Sequence, residues 1–517
     1  MCFKNLVMYL EKLIICNREF SQHKKKMTVC HYLIIQNQKL KTNIIVMNIL
    51  KSISVYILCF FTLLSCTQTA KDANKCPSPW DKAAEIVANL DPVDSFPNVT
   101  YLITDFGAVG DSITPCKEAF DKAVTICSDN GGGTIQVPPG QYYMNGPLVF
   151  KSNVRVNLQE GAVLNFSTDE KDYLPAVLTR WEGTELYNYS PLIYAYHVNN
   201  IALTGKGTIN GNGSKKFSPW KNIQKYNGQE QLRKMGREVT PVWQRVFGEG
   251  FFLRPGFVSP FGCTNVRIEG ITILDSPFWV IHPIFCTNVI IRGVTVISNN
   301  YNNDGCDPES CTNVLIEDCY FITGDDGIAI KSGRDNDAWR VGQPTENVVI
   351  RNCVFNSKIN GLCIGSEMAG GVRNVFVENI ILERSSNAIY FKSNLDRGAY
   401  MENIYVRNVT AENVRTAFIR FEPNYKGERS SFNPTLFRNF LIEDVSCKVS
   451  GETGIYINGF ESYPLKDITL RNVTIESTPV PYCLQNAENV IFDNVNINGE
   501  LLDEKPEPSE IIPLRVL

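Results

Sequence analysis

The chain has 517 residues, of which 44% are hydrophobic and 20% charged, and its formal net charge is −4. These are ordinary values for a folded soluble protein. The acidic balance argues against nucleic acid as a partner. The length allows several domains, but a repeat architecture can also extend this far as one body.

The N-terminal region is typical of a processed leader. Residues 47–51 form a short charged segment, and residues 52–64 form an apolar segment that is too short to span a membrane. The sequence Leu63-Leu64-Ser65-Cys66 resembles the lipobox of bacterial lipoproteins, in which Cys66 would be the lipidated first mature residue. A buried apolar strand is the alternative interpretation of this segment.

These features predict how the chain is processed and where it resides. Residues 1–46 would lie upstream of the true start, and residues 47–66 would be a lipoprotein signal peptide. The mature protein would then be attached to the bacterial cell envelope, in the periplasm or at the outer membrane, only through the lipid on Cys66. We expect it to be a monomer.

Two short helices are predicted before the main body of the chain. Residues 67–95 read as a polar tether followed by an amphipathic helix over 76–90. A second helix is predicted over 117–127, and the glycines at 131–133 end it. Residues 96–517 form the predicted catalytic domain, in which short β runs alternate with turn residues.

An internal repeat indicates the fold. Each copy begins with an asparagine, continues as a short apolar strand, and ends in a polar pair before a second strand. The copies begin at Asn265, Asn288, Asn313, Asn347, Asn374, Asn403, Asn439, Asp467 and Asn489, at steps of 22 to 36 residues. A period in this range that contains only strands and turns predicts a solenoid of β coils.

The fold predicted from this repeat is all-β, a right-handed parallel β-helix with the helix at 117–127 as its N-terminal cap. Because one asparagine recurs in each coil, the side-chain amides are expected to stack in a ladder. Each coil lies about 4.8 Å from the next, so residues one coil apart lie one rung apart on the same face.

A group of carboxylates fenced by glycines is the candidate catalytic centre. Asp304 lies in the segment Asn302-Asn303-Asp304-Gly305-Cys306-Asp307, and Asp325 and Asp326 lie between Gly324 and Gly327. Asp304 and Asp325 are 21 residues apart, which is close to one coil. Lys392 and Tyr425 follow at the spacing of later coils and can line the same groove. Adjacent carboxylates raise one another's pKa, as a glycosidase requires of its acid; the alternatives are a solvated acidic loop or a calcium loop.

An insertion interrupts the repeat between Ser214 and Pro260 and is expected to lie over one end of the groove. It carries the aromatic residues Trp220, Trp243, Phe247, Phe251 and Phe252. These rings can stack on sugars or can pack the insertion onto the body, and aromatic side chains are mostly buried.

The cysteines show no metal-binding spacing. Most occupy apolar strand positions, where they are expected to act as small buried hydrophobes. Cys306 can pair with Cys311, and Cys116 with Cys127, but the sequence does not decide whether these disulfides form.

Several motifs together resemble glycoside hydrolase family 28, the polygalacturonases and related pectin hydrolases. The resemblance covers residues 101–497. The motifs are Asp105-Phe106-Gly107-Ala108-Val109-Gly110-Asp111, Ser276-Pro277-Phe278-Trp279, Asn302 to Asp307, Gly324-Asp325-Asp326, Ile364-Gly365-Ser366-Glu367 and Lys392. The segment Trp181-Glu182-Gly183 and the Gly-Ser-Glu segment are most similar to bacterial, often exo-acting, members.

The resemblance implies a mechanism and its residues. Members of this family invert the configuration of the sugar in a single displacement. Asp325 resembles the general acid, and Asp304 and Asp326 resemble the pair that activates water. An inverting enzyme holds acid and base about 6.5–9.5 Å apart to admit a water. Neither a metal nor an organic cofactor is implied.

Substrate binding is predicted for Asn302, Asn360, Tyr390, Lys392 and Tyr425, and two of these positions depart from the family pattern. Asn360 stands where the family usually has a histidine. Tyr390 replaces the arginine of the family's Arg-x-Lys, and a tyrosine cannot supply the bidentate fork of arginine. Rhamnose beside the cleaved bond would suit this change.

The missing arginine can be compensated by other basic residues. The candidates are Lys331, Arg334 and Arg397, although charged side chains usually lie at the surface.

Three functions remain open at this stage. The favoured one is an exo-acting, inverting hydrolase of polygalacturonate, rhamnogalacturonan or a related pectic chain. The second is a non-catalytic solenoid that binds glycans. The third is a β-helical enzyme like pectate lyase, which would depend on calcium.

Overall fold

The body of the protein is a stack of β coils whose strands pair in parallel with strands of neighbouring coils, while two hairpins, β8–β9 and β30–β31, are antiparallel. The structure, a computed structural model, describes residues 78–90, 96–425 and 432–514. The predicted leader and its lipidation site Cys66 lie outside this part of the chain. Within it, no helix has both the length and the apolar character needed to cross a membrane.

The strands follow one another with short connections. The first group is β1 (Thr100–Leu102), β2 (Asp111–Pro115), β3 (Gly133–Val137), β4 (Gly140–Met144), β5 (Leu148–Val149), β6 (Val154–Leu158), β7 (Ala162–Phe166), β8 (Val177–Trp181), β9 (Thr184–Asn188), β10 (Ile193–Tyr196), β11 (Asn199–Gly205) and β12 (Thr208–Asn210). The second group is β13 (Val246–Phe247), β14 (Val258–Phe261), β15 (Thr264–Glu269), β16 (Thr272–Leu274), β17 (Thr287–Arg292), β18 (Thr295–Ser298), β19 (Thr312–Glu317), β20 (Tyr320–Thr323) and β21 (Ile328–Ile330). The third group is β22 (Thr345–Ser357), β23 (Asn360–Ile364), β24 (Val372–Lys392), β25 (Tyr400–Glu422), β26 (Leu436–Ser450), β27 (Thr453–Asn458), β28 (Leu465–Ser477), β29 (Val480–Gln485), β30 (Ala487–Ile497) and β31 (Glu500–Leu501).

Helices are short and lie outside the coils. They are α1 (Pro79–Leu90), α2 (Lys117–Asp129), α3 (Lys221–Gln224), α4 (Glu230–Arg237) and α5 (Asp335–Val341). Further helical turns cover Ile103–Phe106, Glu170–Tyr173, Ser218–Trp220, Lys225–Gln229 and Val242–Gln244.

Three parallel faces run along the stack. The first contains β3, β6, β11, β15, β17 and β19, and the second contains β4, β7, β12, β16, β18 and β20. The third contains β5, β10, β14, β21, β23, β27 and β29, with single bridges from Val258 through Ile281 and Cys306 to Ile328. The longest strands bend through more than one face. The predicted right-handed parallel β-helix is therefore confirmed.

The core is built from columns of apolar residues inside the coils. One column passes through Val266, Val289, Val314, Val348 and Val375, which are register partners in successive coils and are all buried. Burying each such side chain contributes roughly 1.5–3 kcal/mol. No single coil can enclose its own interior face, so the coils are stable only as a stack.

The predicted asparagine ladder is confirmed on the outer surface. Each amide donates to the carbonyl oxygen of the asparagine one coil earlier, in the series Asn265, Asn288, Asn313, Asn347, Asn374, Asn403 and Asn439, at 2.6–3.2 Å. Every member has a positive φ, between 57° and 61°. Asparagine suits this position because it tolerates the left-handed conformation and can both donate and accept.

A second ladder of the same kind was not predicted. It joins Asp318, Asn352, Asn379 and Asn408 in successive coils at 3.0–3.2 Å. These residues also have positive φ. The ladders fix two corners of each coil and thereby the positions of the strands between them.

We predict that the ladder stabilises the fold measurably at Asn313. Its replacement by glycine removes two amide hydrogen bonds but keeps the left-handed backbone, and should cost about 1 kcal/mol of unfolding free energy. Alanine should cost about 1 kcal/mol more because its β-carbon resists a positive φ. Chemical denaturation of both variants measures the two effects separately. Equal stability of the glycine variant and the wild type would contradict a stabilising ladder.

Both predicted helices are present. Helix α2 buries Phe120, Val124 and Cys127 in the main core at the N-terminal end of the stack, as a cap does. Helix α1 begins at Pro79, three residues after the predicted start, and packs Ile86 and other apolar side chains against the outside of β17, β19 and β22. Helix α1 therefore covers an apolar strip on the outside of the first face that would otherwise be exposed.

The disulfides left open by the sequence do not form. All cysteines in the described part of the chain are buried free thiols, including Cys306, Cys311, Cys116 and Cys127. The sulfur of Cys311 instead contacts the carbonyl oxygen of Glu309 at 3.4 Å. The thiols therefore act as small apolar core residues, as predicted for most of them.

Candidate active site

The candidate acids lie on the third face, where neighbouring coils bring them together. The amide of Gly305 donates to the carbonyl of Asp326 at 2.9 Å, and the amide of Gly327 donates to that of Asn360 at 2.8 Å. Asp304, Asp326 and Asn360 therefore occupy one column in three successive coils. The sequence placed Asp304 and Asp325 close to one coil apart, and the residue in exact register with Asp304 is Asp326.

The glycines around the acids are required by space. A β-carbon on Gly305 would lie 2.4 Å from the ring of Phe321, and one on Gly327 would lie 2.4 Å from the ring of Phe355. A β-carbon on Gly324 would lie 2.0 Å from the carbonyl oxygen of Asn300. Close approach of the coils at the bend, as opposed to a left-handed backbone, explains these glycines.

The three predicted catalytic carboxylates form one cluster. One oxygen from each of Asp304, Asp325 and Asp326 lies within 4.8 Å of the others. Asp304 and Asp326 are buried, whereas Asp325 is half-buried. Two lysines compensate the charge: Lys392 Nζ is 3.0 Å from Asp326 Oδ2, and Lys331 Nζ is 3.5 Å from Asp304 Oδ2. A cation would fit this cluster by distance, but the two ammonium groups already supply its positive charge.

The environment separates the protonation states of the acids. Burial, together with Asp304 and Asp326, raises the pKa of Asp325 well above its usual range. Burial opposes ionisation of Asp326 as well, but Lys392 and Lys331 outweigh it and lower the pKa of Asp326. Two neighbouring carboxyl groups with opposite shifts are typical of an acid and a base. These opposite shifts of pKa favour the protonated form of Asp325 and the ionised form of Asp326.

Asp304 resembles Asp325 in its electrostatics. Burial and the neighbouring Asp307 raise the pKa of Asp304. Asp307 is itself fully buried, with Lys331 Nζ at 3.6 Å. The structure therefore favours Asp326 over Asp304 as the group that accepts a proton from water.

The acids line a pocket of about 160 Å³ that opens to solvent. The lining residues are Glu182, Arg233, Trp279, Asn302, Asp304, Asp325, Asp326, Lys331, Arg334, Ser366, Glu367, Lys392 and Tyr425.

One wall of the pocket is a network of buried ion pairs. Arg233 from α4 and Arg334 both contact Glu182, which connects β8 and β9, and Arg334 also contacts Glu367 at 2.5 Å. Burial would raise the pKa of Glu182, but the two guanidinium groups outweigh it and lower the pKa to about 2. Lys331 reaches Glu367 at 3.4 Å and joins this wall to the acids. The wall carries charges of both signs that are joined by ion pairs.

The predicted binding residues fall into two groups. Asn302, Lys392 and Tyr425 line the pocket as predicted. Asn360 and Tyr390 are only 1% and 3% exposed and lie beneath it. Asn360 donates to Asp326 at 2.5 Å, and the hydroxyl of Tyr390 donates to Glu422. Direct substrate contact by Asn360 or Tyr390 would require the groove floor to open.

The three basic residues considered as compensation are not surface charges. Lys331 and Arg334 are 3% and 5% exposed and line the pocket, and Arg397 is fully buried behind it. Arg397 donates to the carbonyl of Ser366 at 2.6 Å and pairs with Asp335. The general preference of charged residues for the surface failed here because the site supplies each cation with buried carboxylates.

The sequence did not identify several residues of the site. Arg233 and Glu182 come from outside the repeat, and Trp279 lies under Lys331, whose Nζ is 4.6 Å from the ring centroid. Arg254 is fully buried and donates to Asn302 Oδ1 at 2.7 Å. The usable signal was the motif that contains Glu182, because it resembled exo-acting family members.

The insertion lies over the site as expected, but its aromatic rings mostly pack it onto the body. Trp220 and Phe247 are buried, and Phe251 and Phe252 pack against apolar clusters. Trp243 is 69% exposed. Packing is therefore the correct interpretation for four of the five rings.

Comparison with known proteins identifies the family. The sequence model of the family described as "Glycosyl hydrolases family 28" matches residues 127–493. The chain belongs to this family. A probable polygalacturonase of Vitis vinifera is 30% identical over 433 residues, which cover 80% of each chain.

Solved structures agree with this assignment. A hyperthermoactive exopolygalacturonase from Thermotoga maritima superposes with a TM-score of 0.78 at 38% identity and covers 82% of this chain and 97% of its own. A family 28 exopolygalacturonase from Yersinia enterocolitica superposes with a TM-score of 0.65 at 21% identity, over 77% of this chain and 75% of its own, which shows the shared fold. The protein is therefore a glycoside hydrolase of family 28, like the polygalacturonases.

The family assignment gives the cluster its chemistry. In a glycoside hydrolase, one carboxylic acid protonates the leaving oxygen and a carboxylate acts on the opposite side of the sugar ring. The protonated Asp325 and the ionised Asp326 have the states that these roles require. The 4.8 Å limit on the cluster is a closest approach of single oxygens, whereas inverting enzymes (about 6.5–9.5 Å) and retaining enzymes (about 5–5.5 Å) differ in the separation between whole carboxyl groups.

Proposed function

We propose that the protein hydrolyses a galacturonate-containing pectic chain, polygalacturonate in the first instance, from its end and with inversion. The observation that carries this proposal is the pair of Asp325, which holds a proton, and Asp326, which is ionised, at the base of a pocket with cationic walls. The names of the Thermotoga and Vitis relatives support the choice of sugar.

The reaction then needs only groups that the pocket contains. Asp326 accepts a proton from a water molecule as the water oxygen bonds to the anomeric carbon. The bond from that carbon to the glycosidic oxygen breaks, and Asp325 gives its proton to the departing oxygen. Lys392 stabilises the ionised Asp326 before the reaction.

The charges of the pocket favour an anionic sugar. Among the lining residues, Arg233, Lys331, Arg334 and Lys392 are cations. The acids with lowered pKa are Glu182, Asp326 and Glu367, because nearby cations outweigh their burial. With protons on Asp304 and Asp325, four cations face three anions, and one positive charge is left for a carboxylate of the substrate. Arg233 and Arg334 are the candidate partners, because arginine matches a carboxylate in shape.

The walls of the pocket favour action at a chain end. The connection of β8 and β9 supplies Glu182, and α4 of the insertion supplies Arg233, so both segments project over one side of the acids. Segments that bound the pocket on one side of the acids favour the terminal sugar of a chain beside Asp325. This is the basis for the exo mode.

Product analysis tests the substrate and the mode. The protein beginning at residue 67 is incubated with polygalacturonate, with rhamnogalacturonan and with short oligomers of each, with and without a chelator. We expect saturated monogalacturonate from the first time points, a slow fall in viscosity, and no effect of the chelator. Oligomers whose non-reducing end is unsaturated should resist. Release from rhamnogalacturonan alone would move the proposal to that substrate, and mixed long products would overturn the exo mode.

The stereochemical proposal requires its own measurement because the carboxylates are close together. Proton NMR of the anomeric signal in the first minutes distinguishes a β product, expected for inversion of an α linkage, from an α product. A first product with retained configuration would show that the short separation reflects a covalent mechanism.

We also propose that the mature protein is a monomer at the bacterial cell envelope, anchored through lipid on Cys66. The support is the order of charged segment, apolar segment and lipobox in residues 47–66. Incorporation of labelled fatty acid, lost in Cys66→Ser, and sedimentation of the soluble form test the two parts. Labelling that persists in the variant would overturn the anchor.

A further inference from the structure

A chain of buried polar side chains reaches Asp326 from three coils away. Asn360 Nδ2 donates to Asp326 Oδ1 at 2.5 Å, and Asn387 Nδ2 donates to Asn360 Oδ1 at 2.8 Å. Arg420 Nη1 donates to Asn387 Oδ1 at 3.5 Å, the longest contact of the series. Asn360, Asn387 and Arg420 are each at most 4% exposed and are absent from the pocket lining.

The residues at the two ends fix the direction of the amides. A guanidinium group can only donate, and an ionised carboxylate can only accept. Asn360 and Asn387 must therefore both turn their NH₂ groups toward Asp326 and their oxygens toward Arg420. Reversal of either amide would place two donors or two acceptors face to face in a buried site.

Arg420 is held firmly enough to anchor this series. Its Nη2 is 2.9 Å from Glu422 Oε2, and its guanidinium group lies 4.8 Å from the ring centroid of Tyr390 and 5.4 Å from that of Tyr456. These contacts leave Arg420 little freedom to leave Asn387. Arg420 is the register partner of Tyr390 and lies one coil after it.

We propose that Asn360, Asn387 and Arg420 are positioning residues for Asp326, and that Arg420 acts on this carboxylate through the two amides across three coils. The proposal rests on the proposed function in that it takes Asp326 as the base of the hydrolysis. Lys392 binds the Oδ2 oxygen of Asp326 and the amide series binds Oδ1, so both oxygens are fixed. The consequence is a base that keeps one orientation and remains ionised at acid pH.

Kinetics of single and double variants test the coupling. Arg420→Met and Asn387→Ala should each lower kcat roughly tenfold, as loss of a hydrogen bond to a charged group does, with little change in KM. The acid limb of the pH–kcat profile should move to higher pH in both. Asn360→Ala should lower kcat more than either of these variants. Arg420→Met added to Asn360→Ala should cause no further loss of kcat, because Asn360→Ala already removes the hydrogen bonds that connect Arg420 to Asp326.

The matched control is Asn408→Asp, which breaks the exposed amide contact between Asn408 and Asn379 in the second ladder. It should leave kcat and the pH profile unchanged. Independent, multiplicative losses from Arg420→Met and Asn360→Ala would overturn the proposal, as would a loss of kcat without a shift of the acid limb. Circular dichroism and melting of each variant identify those that fail to fold.

A measurement that needs no turnover separates this proposal from the proposed function. Carbon-13 NMR of the Asp carboxyl groups follows the titration of Asp326, which is assigned by its loss in Asp326→Asn. We expect Arg420→Met to raise the midpoint of this titration relative to the wild type and Asn408→Asp. An unchanged midpoint in Arg420→Met would overturn the proposed effect of Arg420 on Asp326, even if the enzyme hydrolyses pectin. A raised midpoint would support this effect, even if the substrate is different.

Discussion

Replacement of Asp325 by asparagine is expected to lower kcat on the natural oligosaccharide about 10²–10⁴-fold, the usual contribution of a general acid. The reason is that burial and the neighbouring carboxyl groups of Asp304 and Asp326 raise the pKa of the half-buried Asp325, which favours its protonated form. Asparagine has nearly the same shape but cannot give up a proton. Initial rates of reducing-end release measure the effect.

The leaving group distinguishes the acid from the base. An aryl galacturonide with an acidic phenol departs without protonation, so Asp325→Asn should retain much of its rate on this substrate. Asp326→Asn should be inactive on both substrates because the water is no longer activated. Asp444→Asn, at an exposed corner of a coil, serves as the control and should behave as the wild type. A defect of Asp325→Asn that is equally deep on both substrates would contradict the assignment of Asp325 as the acid.

The same substitution should make the protein more stable at neutral pH. The pKa of Asp325 is raised by folding, so its contribution to stability is fully present below the unfolded pKa of about 3.9 and is lost as pH rises through the folded pKa. Asparagine does not ionise, so the Asp325→Asn variant does not lose this stability as the pH rises. The melting temperature of Asp325→Asn should therefore exceed that of the wild type by a few degrees at pH 7, and the difference should disappear in acid.

Removal of the Lys392 charge is expected to have the second large effect. Lys392 Nζ lies 3.0 Å from Asp326 Oδ2 in a buried site, and breaking such a pair typically costs about 3–5 kcal/mol. In Lys392→Met the ionised form of Asp326 loses its main cation, so the pKa of Asp326 should rise. The acid limb of kcat/KM should then move to higher pH, and the maximal rate should fall at least about tenfold.

Lys392→Arg retains the positive charge and should shift the limb much less. Lys448→Met provides a matched control, because Lys448 forms an ion pair with Glu412 on the exposed surface. This control should leave the profile unchanged. An acid limb that stays in place in Lys392→Met would show that Lys331 and the amide of Asn360 suffice to keep Asp326 ionised.

The sequence predicted the architecture because the repeat is a direct consequence of the fold. The asparagine at each coil corner recurs where the backbone needs a left-handed residue, as at Asn288 and Asn313, so its period reports the coil length. The period gave only an approximate register for the acids, because periodicity fails at a bend. Gly324 and Gly327 marked the bend in the sequence. How tightly the chain turns there is visible only in the structure, in which a β-carbon on Gly327 would collide with the ring of Phe355.

The site was harder to predict than the fold because much of it comes from residues distant in sequence. Arg233 reaches the pocket from an insertion without repeat signal, and its partner Glu182 lies in the hairpin of β8 and β9. Lys331 and Arg334 looked like surface charges because the carboxylates that bury them are contributed by other coils. Asn387 and Arg420 carry no local signal, since their roles follow only from register.

Placing the acids in two successive coils, Asp304 in one and Asp325 and Asp326 in the next, has an evolutionary consequence. Asp304 and Asp326 are set one rung apart by backbone hydrogen bonds, and each further position along the groove floor comes from a further coil. A mutation in one coil can thus alter what the enzyme recognises at one sugar without moving the acids. Duplication or exchange of a whole coil would lengthen or revise the groove by one step. Such a scaffold can acquire new polysaccharide specificities gradually, one rung at a time, while its catalytic step is preserved.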